Sequence, residues 1–339
     1  MRRKHEHADG GCVSAKLRKM AGAGCLLLFL LCLSACGEKP APDPAEEEPL
    51  RVVTTIFPVY DWTREVLGSD AGETELTLLM DRGVDLHSFQ PTAQDLIRIS
   101  SCDLFVYVGG ESDAWVEDAL KEAVNPDMQV LSLMEVLGDR LREEERIAGM
   151  QEERFSEEED AYDEHIWLSV RNAEICCGAV AEALAGKDPA HAEDYVANAA
   201  AYGEKLAALD SAFEETVREA AGKTVLFADR FPFRYLAEDY GLRYYAAFAG
   251  CAAETEASFG TILFLIERID EEKLGAICVL KDSDGKLART VRETTADKDQ
   301  EIVVFDSMQA TSGKDIEAGV TYLRVMEENL AALEKALAE

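Results

Sequence analysis

Residues 189–222 read PAHAEDYVANAAAYGEKLAALDSAFEETVREAAG, and this stretch decides how the rest of the chain is interpreted. Proline stands at its start and glycine at its end, and these residues favour the first turn and the termination of a helix. The stretch predicts one helix of roughly 33 residues, about 50 Å long at 1.5 Å per residue. Because this exceeds the usual length of globular helices, we expect it to join two bodies.

Strand-like and helix-like segments alternate on the N-terminal side of this helix. The predicted strands are apolar along their whole length, which is typical of a parallel sheet covered on both faces. The predicted strands span 50–58, 74–80, 103–110 and 128–134, and the predicted helices span 59–68, 91–102 and 115–124. We therefore expect an N-terminal α/β lobe at 50–138. Residues 139–171 hold an acidic loop, or a mobile helix, at 139–162 and then the second histidine motif, and linking helices occupy 172–222.

The same alternation resumes after the linking helices and defines a C-terminal lobe at 223–339. The predicted strands span 223–229, 243–250, 275–282 and 301–306, and the predicted helices span 234–242, 258–273, 283–295 and 315–339. The fold class that follows is α/β, with two α/β lobes of mostly parallel sheets joined by one long rigid linking helix. Ligands of open α/β sheets bind beyond the carboxyl ends of the strands, so we expect the ligand in the cleft between the lobes.

Residues 1–35 predict a lipoprotein signal peptide. The basic segment MRRKHEHADGGCVSAKLRKM precedes AGAGCLLLFLLCLSAC, whose apolar run is shorter than the ~20 residues of a membrane-spanning helix. The final LSAC resembles a bacterial lipobox, which implies cleavage before Cys36 and lipid attachment to Cys36. Residues 36–49 are rich in proline and acids and predict a disordered tether. The protein is thus expected to be lipid-anchored at the extracytoplasmic face of the cell membrane, whether Met1 or Met20 starts the signal.

The charge argues against a nucleic-acid-binding surface, and the spacing of the cysteines argues against a finger-like zinc site. The formal net charge is −33 at pH 7, and such a surface repels nucleic acid and anionic lipid while suiting cation binding or solubility alone. Nine cysteines are present but form no CxxC pair, which argues against a finger-like zinc site. Disulfide pairing stays open.

Three histidines follow the predicted signal, and two of them are placed to face a cleft. His87 follows the second predicted strand in DRGVDLHSFQP, and His165 precedes the linking helices in DEHIWLSVRNA. Asp306 closes the strand EIVVFD in the second lobe. Imidazole nitrogen with carboxylate oxygen suits Zn²⁺ or Mn²⁺, although a hydrogen-bonded structural histidine is the alternative. His191 lies in the first turn of a helix and is expected to be solvated.

Several motifs, in the same order along residues 50–339, resemble those of the substrate-binding lipoproteins of bacterial zinc/manganese ABC importers. VVTTIFPVYDWTREVLG is similar to the opening strand and helix of that family. GVDLHSFQPTAQDL and DEHIWLSVRNA resemble the segments around its two metal histidines, here His87 and His165. FDSMQ resembles the segment with its last acidic ligand, here Asp306. The resemblance implies two lobes joined by a rigid helix, with the metal buried between them.

The chain departs from the family at the third ligand, which is a His or Glu shortly after the linking helix. Arg230 stands at that position in FADRFPFRYLAEDYGL, and a cation does not ligate a cation. Asp229 is therefore the predicted replacement. Glu254, Glu256 and Cys251 are left as alternatives. The predicted metal ligands are His87, His165, Asp229 and Asp306.

The resemblance implies metal ion transport rather than an enzyme activity. We expect the protein to capture Zn²⁺ first and Mn²⁺ second and to deliver it to an ABC permease driven by an ATPase subunit. It is expected to be a monomer attached to the membrane through its lipidated N-terminus.

Two other classes of function stay open from the sequence. A metal-dependent lipoprotein enzyme is the first, although no HExxH, GxSxG or Ser/His/Asp grouping occurs. A relative that has lost metal binding and acts in cell adhesion or as an interaction protein is the second, because Arg230 stands at a ligand position.

Overall fold

The computed structural model describes residues 49–69, 74–151, 162–250 and 256–338. The predicted signal peptide, the lipid site Cys36 and nearly all of the predicted tether lie outside these residues, as do Cys251 and Glu254. Within the described ranges, no helix combines the length and the apolar character that crossing a membrane requires.

The N-terminal lobe is built on a four-stranded parallel sheet in the order β2-β1-β3-β4. Its strands are β1 (Arg51–Thr54), β2 (Glu75–Leu78), β3 (Leu104–Tyr107) and β4 (Gln129–Ser132). Its helices are α1 (Phe57–Leu67), α2 (Ala93–Ser101), α3 (Trp115–Lys121) and α4 (Leu133–Leu137). In β3, Leu104 and Val106 join the core on one face of the sheet and Phe105 joins the core on the other. The apolar central strand β3 thus has the double coverage that its composition predicts.

Two long helices follow and pack against each other, α5 (Val170–Lys187) and α6 (Ala192–Glu219). Helix α6 has 28 residues, or about 42 Å at 1.5 Å per residue. It is shorter than predicted because Pro189–His191 forms a separate 3₁₀ turn. The predicted architecture of two lobes with one long linking helix is confirmed.

The C-terminal lobe repeats the design with a four-stranded parallel sheet in the order β6-β5-β7-β8. Its strands are β5 (Thr224–Phe231), β6 (Arg243–Ala249), β7 (Ala276–Leu280) and β8 (Glu301–Phe305). Its helices are α7 (Arg234–Tyr240), α8 (Phe259–Glu272), α9 (Lys286–Thr294), α10 (Gly313–Glu317) and α11 (Tyr322–Ala336). The predicted closing helix at 315–339 is therefore wrong as one unit. The chain breaks at Gly319, whose φ of +90° is a left-handed conformation that glycine adopts without steric cost.

A buried junction ties the closing helix to the N-terminal lobe. The carboxylate of Asp61 on α1 accepts a hydrogen bond of 2.7 Å from the backbone N–H of Tyr322. The rings of Trp62 and Tyr322 meet edge to face at 5.1 Å. The hydroxyl of Tyr322 donates to the carbonyl of Trp167, and the indole N–H of Trp167 donates to the carbonyl of Ser307. These bonds fix the segment after His165 against the segment after β8.

Residues 141–151 of the acidic region follow a 3₁₀ turn at Gly138–Arg140 and form no further helix or strand. Glu143 forms an antiparallel bridge with Tyr162, and the backbone N–H of Gln151 donates to the carbonyl of Ala247 in β6. The residues around 139–151 therefore run along the C-terminal lobe, while 152–161 lie outside the described ranges.

Candidate metal centre

His87 lies in a short 3₁₀ helix, Leu86–Ser88, beyond the carboxyl end of β2. Asp85 caps this turn, since its Oδ1 accepts the backbone N–H of His87 at 3.0 Å. The ring Nδ1 of His87 lies 2.7 Å from the hydroxyl of Ser112. The backbone N–H of Ser112 in turn donates to Glu164 Oε1 at 2.7 Å. The imidazole is therefore oriented by groups on two other segments of the chain.

His165 is fully buried at the start of the 3₁₀ helix Ile166–Leu168. Asp163 orients it locally: its Oδ1 accepts the backbone N–H of His165 at 2.8 Å and lies 3.0 Å from the ring Nδ1. Because a carboxylate only accepts, Nδ1 carries the proton and Nε2 keeps its lone pair. Metal-binding histidines are usually held by such a carboxylate on the other ring nitrogen.

The two imidazoles meet through their Nε2 atoms, which are 3.3 Å apart, with ring centroids separated by 5.3 Å. In the tautomer in which Nδ1 of His87 donates to Ser112, both Nε2 atoms present lone pairs to the same point. Two zinc–nitrogen bonds of about 2.0–2.1 Å at the tetrahedral angle hold their nitrogens about 3.3–3.4 Å apart. The residues present thus fit a zinc ion without a change in the spacing of the histidines.

Gln309 is a site residue that the sequence reasoning missed. Its amide nitrogen lies 2.9 Å from Nε2 of His87 and 2.9 Å from Nε2 of His165. The side chain is buried, and its Oε1 has no hydrogen-bond partner. Its only sequence signal is its place in FDSMQ, because an amide is not among the residue types that first suggest a metal ligand.

The two predicted carboxylate ligands accept hydrogen bonds from other groups of the C-terminal lobe. Asp306 accepts the backbone N–H of Met308 and the ammonium of Lys281, each at 2.8 Å. Asp229 accepts the backbone N–H of Arg230 at 2.9 Å and that of Leu280 at 3.1 Å. Within the described ranges, no group of three or more His, Cys, Asp and Glu side chains is placed to hold a metal ion. The structure brings together two of the four predicted ligands, and the assignment of the other two stays a prediction.

Arg230 forms an ion pair between the lobes instead of occupying a ligand position. Its Nη2 lies 3.1 Å from Oδ2 of Asp85, the residue that caps the turn of His87. A register shift between Phe227 and Arg230 interrupts the pairing of β5 with β6. Asp85 therefore holds the backbone of His87 with one oxygen and the C-terminal lobe with the other.

Burial controls the protonation of the site. Burial, the neighbouring His165 and the Arg230 guanidinium lower the pKa of His87 to about 4, against the opposing effect of Asp85. The His87 imidazole is therefore neutral at pH 7, the form that binds a metal. Burial raises the pKa of Glu164, whose Oε2 has no hydrogen-bond partner.

Comparison with known proteins gives one family model, described as zinc-uptake complex component A, periplasmic, which matches residues 52–336. A zinc-binding lipoprotein of Streptococcus pneumoniae, AdcA, is 31% identical over 318 residues, which are 91% of this chain and 60% of that protein. The high-affinity zinc uptake system protein ZnuA of Bacillus subtilis is 28% identical over 322 residues, covering 94% of this chain and 98% of that protein. The chain thus spans about 60% of the length of AdcA and nearly all of the Bacillus protein.

One solved structure illustrates the similarity of fold. The Zn(II)-bound ZnuA-like domain of Streptococcus pneumoniae AdcA superposes with a TM-score of 0.68 at 28% identity. The match covers 86% of this chain and 100% of that domain.

Proposed function

Because the chain belongs to the family described as zinc-uptake complex component A, we propose that it captures a divalent transition metal outside the cytoplasmic membrane and delivers it to an ABC permease. The proposed metal is Zn²⁺ first and Mn²⁺ second. The observation that carries the proposal is the approach of the Nε2 atoms of His87 and His165 to 3.3 Å. Imidazole suits zinc, whereas Mn²⁺ prefers oxygen-rich ligand sets.

His87 and His165 are the proposed principal ligands, with Asp229 and Asp306 as the predicted carboxylate ligands. Both carboxylates already accept hydrogen bonds from backbone N–H groups, and each such bond that breaks when a carboxylate turns to the metal costs about 1 kcal/mol. The histidines need no such rearrangement, because their Nδ1 atoms are already held by Asp163 and Ser112. We therefore assign most of the metal affinity to the histidine pair.

The proposed partners are a membrane permease and its ATPase subunit, and the proposed anchor is a lipid on Cys36. The name of AdcA as a lipoprotein supports the anchor and an extracytoplasmic location. We propose a monomer, since the histidine pair and its orienting groups all come from one chain.

An enzyme or an adhesin accounts less well for the geometry. A catalytic metal needs an open coordination position for water or substrate. Here His165 is fully buried, and both Nε2 atoms face the amide of Gln309. An adhesin that has lost metal binding does not need two imidazoles whose Nε2 atoms converge on one point. We therefore propose solute binding without catalysis.

The test is metal binding by the purified protein and by two histidine-to-alanine variants. We expect the protein to bind one Zn²⁺, measured by competition with a chromophoric chelator, and His87→Ala to lose at least about 100-fold in affinity. His191→Ala is the matched control, because His191 lies at the surface and pairs with Asp188. Its zinc affinity is expected to equal that of the unmodified protein.

An equal zinc affinity in His87→Ala and His191→Ala would contradict the assignment of the site. Delivery is tested by growth of a producing strain under chelator-limited zinc. We expect the unmodified gene, but not the His87→Ala gene, to restore growth, and restoration by both genes would contradict the proposed role in uptake.

A further inference from the structure

The side chain of Glu164 lies between the two segments that carry the histidines, and it is only 2% exposed. Its Oε1 accepts the backbone N–H of Ser112 at 2.7 Å. Its Oε2 lies 3.9 Å from Nδ1 of His87 and has no hydrogen-bond partner. A buried carboxyl oxygen without a partner disfavours folding, and here it stands beside a proposed metal ligand.

The loop after β3 is shaped around this carboxyl. Gly110 has a φ of +85°, a left-handed conformation that glycine adopts without steric cost. A Cβ at this position would lie 2.5 Å from Oε1 of Glu164, so a larger residue would push the carboxyl away from Ser112. The close approach leaves the hydroxyl of Ser112 2.7 Å from Nδ1 of His87.

The contact between Ser112 and His87 is compatible with two tautomers of the imidazole. Because a hydroxyl both donates and accepts, Ser112 either accepts from a protonated Nδ1 or donates to an unprotonated one. Only the first arrangement leaves a lone pair on Nε2 of His87, the atom that lies 3.3 Å from Nε2 of His165. The direction of the hydroxyl therefore decides whether His87 is ready to bind a metal at that point.

We propose that Glu164 is a positioning residue that fixes the tautomer of His87 through the hydroxyl of Ser112. This inference rests on the proposed function. The hydroxyl donates to Glu164, so its oxygen is left to accept from Nδ1 of His87, and Nε2 keeps its lone pair. Burial raises the pKa of Glu164, and the hydrogen bonds from the hydroxyl and the backbone N–H of Ser112 oppose that rise.

Asp163 and Glu164 then act on the two histidines in parallel ways. Asp163 lies 3.0 Å from Nδ1 of His165 and fixes the tautomer of that ring directly. Glu164, the next residue in the sequence, reaches His87 through Ser112. Two neighbouring acids of one segment thus orient both imidazoles, so that both Nε2 lone pairs are in place before a metal binds.

The first test is the tautomer of His87 in the metal-free protein, read by ¹⁵N NMR of labelled histidine near neutral pH. The spectrum of His87→Ala identifies the signals of His87, and we expect its proton on Nδ1 in the unmodified protein. Ser112→Ala removes the hydroxyl and keeps the backbone N–H, and Glu164→Met removes both oxygens at similar length. Both variants are expected to move the proton toward Nε2. An unchanged tautomer in both would overturn the proposal.

The second test is Zn²⁺ affinity, measured by competition with a chromophoric chelator. Groups that orient metal ligands contribute about 10–100-fold to affinity, so we expect Ser112→Ala and Glu164→Met each to bind at least about tenfold more weakly. Because both groups act through one chain of hydrogen bonds, the double variant is expected to bind about as weakly as the weaker single variant. Losses that multiply in the double variant would show that Glu164 acts independently of Ser112, and would overturn the proposal.

Two controls separate this role from general stability. Asp113→Ala removes another buried carboxyl of the same loop and leaves the backbone N–H of Gly109 without its acceptor. Its zinc affinity and its His87 tautomer are expected to equal those of the unmodified protein. Ser112→Thr keeps the hydroxyl and is expected to preserve both properties.

A measurement without a substitution at Glu164 keeps the proposal testable if Glu164→Met folds poorly. The ¹³C signal of the Glu164 carboxyl is compared between the unmodified protein and Ser112→Ala. We expect a shift, because the carboxyl loses the hydrogen bond from the hydroxyl. An unchanged signal would overturn the proposal.

The outcomes separate this inference from the proposed function, because the tautomer is read without a metal. If the unmodified protein binds Zn²⁺ and neither variant changes the tautomer of His87, the proposed function stands and the role of Glu164 is overturned. If the unmodified protein binds no Zn²⁺, the proposed function is overturned, and with it the role of Glu164 in metal binding.

Discussion

Replacing Asp113 with asparagine is predicted to stabilise the protein increasingly as the pH rises. Asp113 is 3% exposed; its Oδ2 accepts the backbone N–H of Gly109 at 3.0 Å, and its Oδ1 has no partner. Burial, together with the nearby carboxylate of Glu164, raises the pKa of Asp113 to about 7. A carboxyl with a raised pKa in the folded state favours folding while protonated. That contribution is complete below its unfolded pKa and is lost as the pH rises through about 7.

The magnitude follows from the two pKa values of this carboxyl. A shift from 3.8 to about 7 corresponds to about 4 kcal/mol at most, at about 1.4 kcal/mol per unit. Ionisation of Asp113 reduces the free energy of unfolding by about 2 kcal/mol at pH 5.5 and by about 4 kcal/mol at pH 8.5. The asparagine side chain that replaces it carries no charge at any pH. The stability difference between Asp113→Asn and the unmodified protein is therefore predicted to grow by about 2 kcal/mol across this range.

The assay is urea unfolding followed by circular dichroism between pH 5.5 and 8.5, a range above the isoelectric point near 4.5. Asp118→Asn is the control, on helix α3 directly after the turn that holds Asp113, because the side chain of Asp118 is 86% exposed. Its stability difference from the unmodified protein is predicted to be flat with pH. A difference for Asp113→Asn that is equally flat would refute the reasoning, since it would mean that Asp113 titrates alike in the folded and unfolded protein.

Two further predictions concern contacts between the lobes. A double-mutant cycle of Arg230→Gln and Asp85→Asn is predicted to give a coupling of about 1 kcal/mol in the free energy of unfolding. Salt is predicted to reduce this coupling, because the ion pair is only partly buried. A coupling of zero would show that the pair does not join the lobes. Tyr322→Phe is predicted to lower the free energy of unfolding by about 1–2 kcal/mol, because the buried carbonyl of Trp167 loses its hydrogen-bond donor. The measurement is urea unfolding, with the exposed Tyr162→Phe as the control. An equal cost in both variants would contradict it.

The fold was predictable because its signals are local. The central strands β3 and β7 are apolar along their length, and the proline and glycine that bound residues 189–222 limit the linking helix. The break in the closing helix was missed because glycine is tolerated within a helical pattern. Only the backbone shows that Gly319 takes a left-handed conformation.

The candidate site was predictable to the extent that its contacts are local in sequence. In DEHIWL, Asp163 lies two residues before His165 and orients its ring, so the segment itself contains both the ligand and the group that fixes its tautomer. The corresponding partner of His87 is Ser112, 25 residues away, and no spacing rule predicts it.

Which side chain of the C-terminal lobe faces the two histidines depends on a backbone bend that residue types do not reveal. The sequence predicts the carboxylate of Asp306 because acids are the expected oxygen ligands of zinc. The left-handed Met308 turns the chain between residues 306 and 309, so that Asp306 faces Lys281 and the backbone while Gln309 faces the histidines. Asp306 then stabilises the bend that aims its neighbour. Asp306 and Gln309 therefore differ in their contacts although they lie in one turn, because the backbone conformation of Met308 directs Gln309 toward the imidazoles.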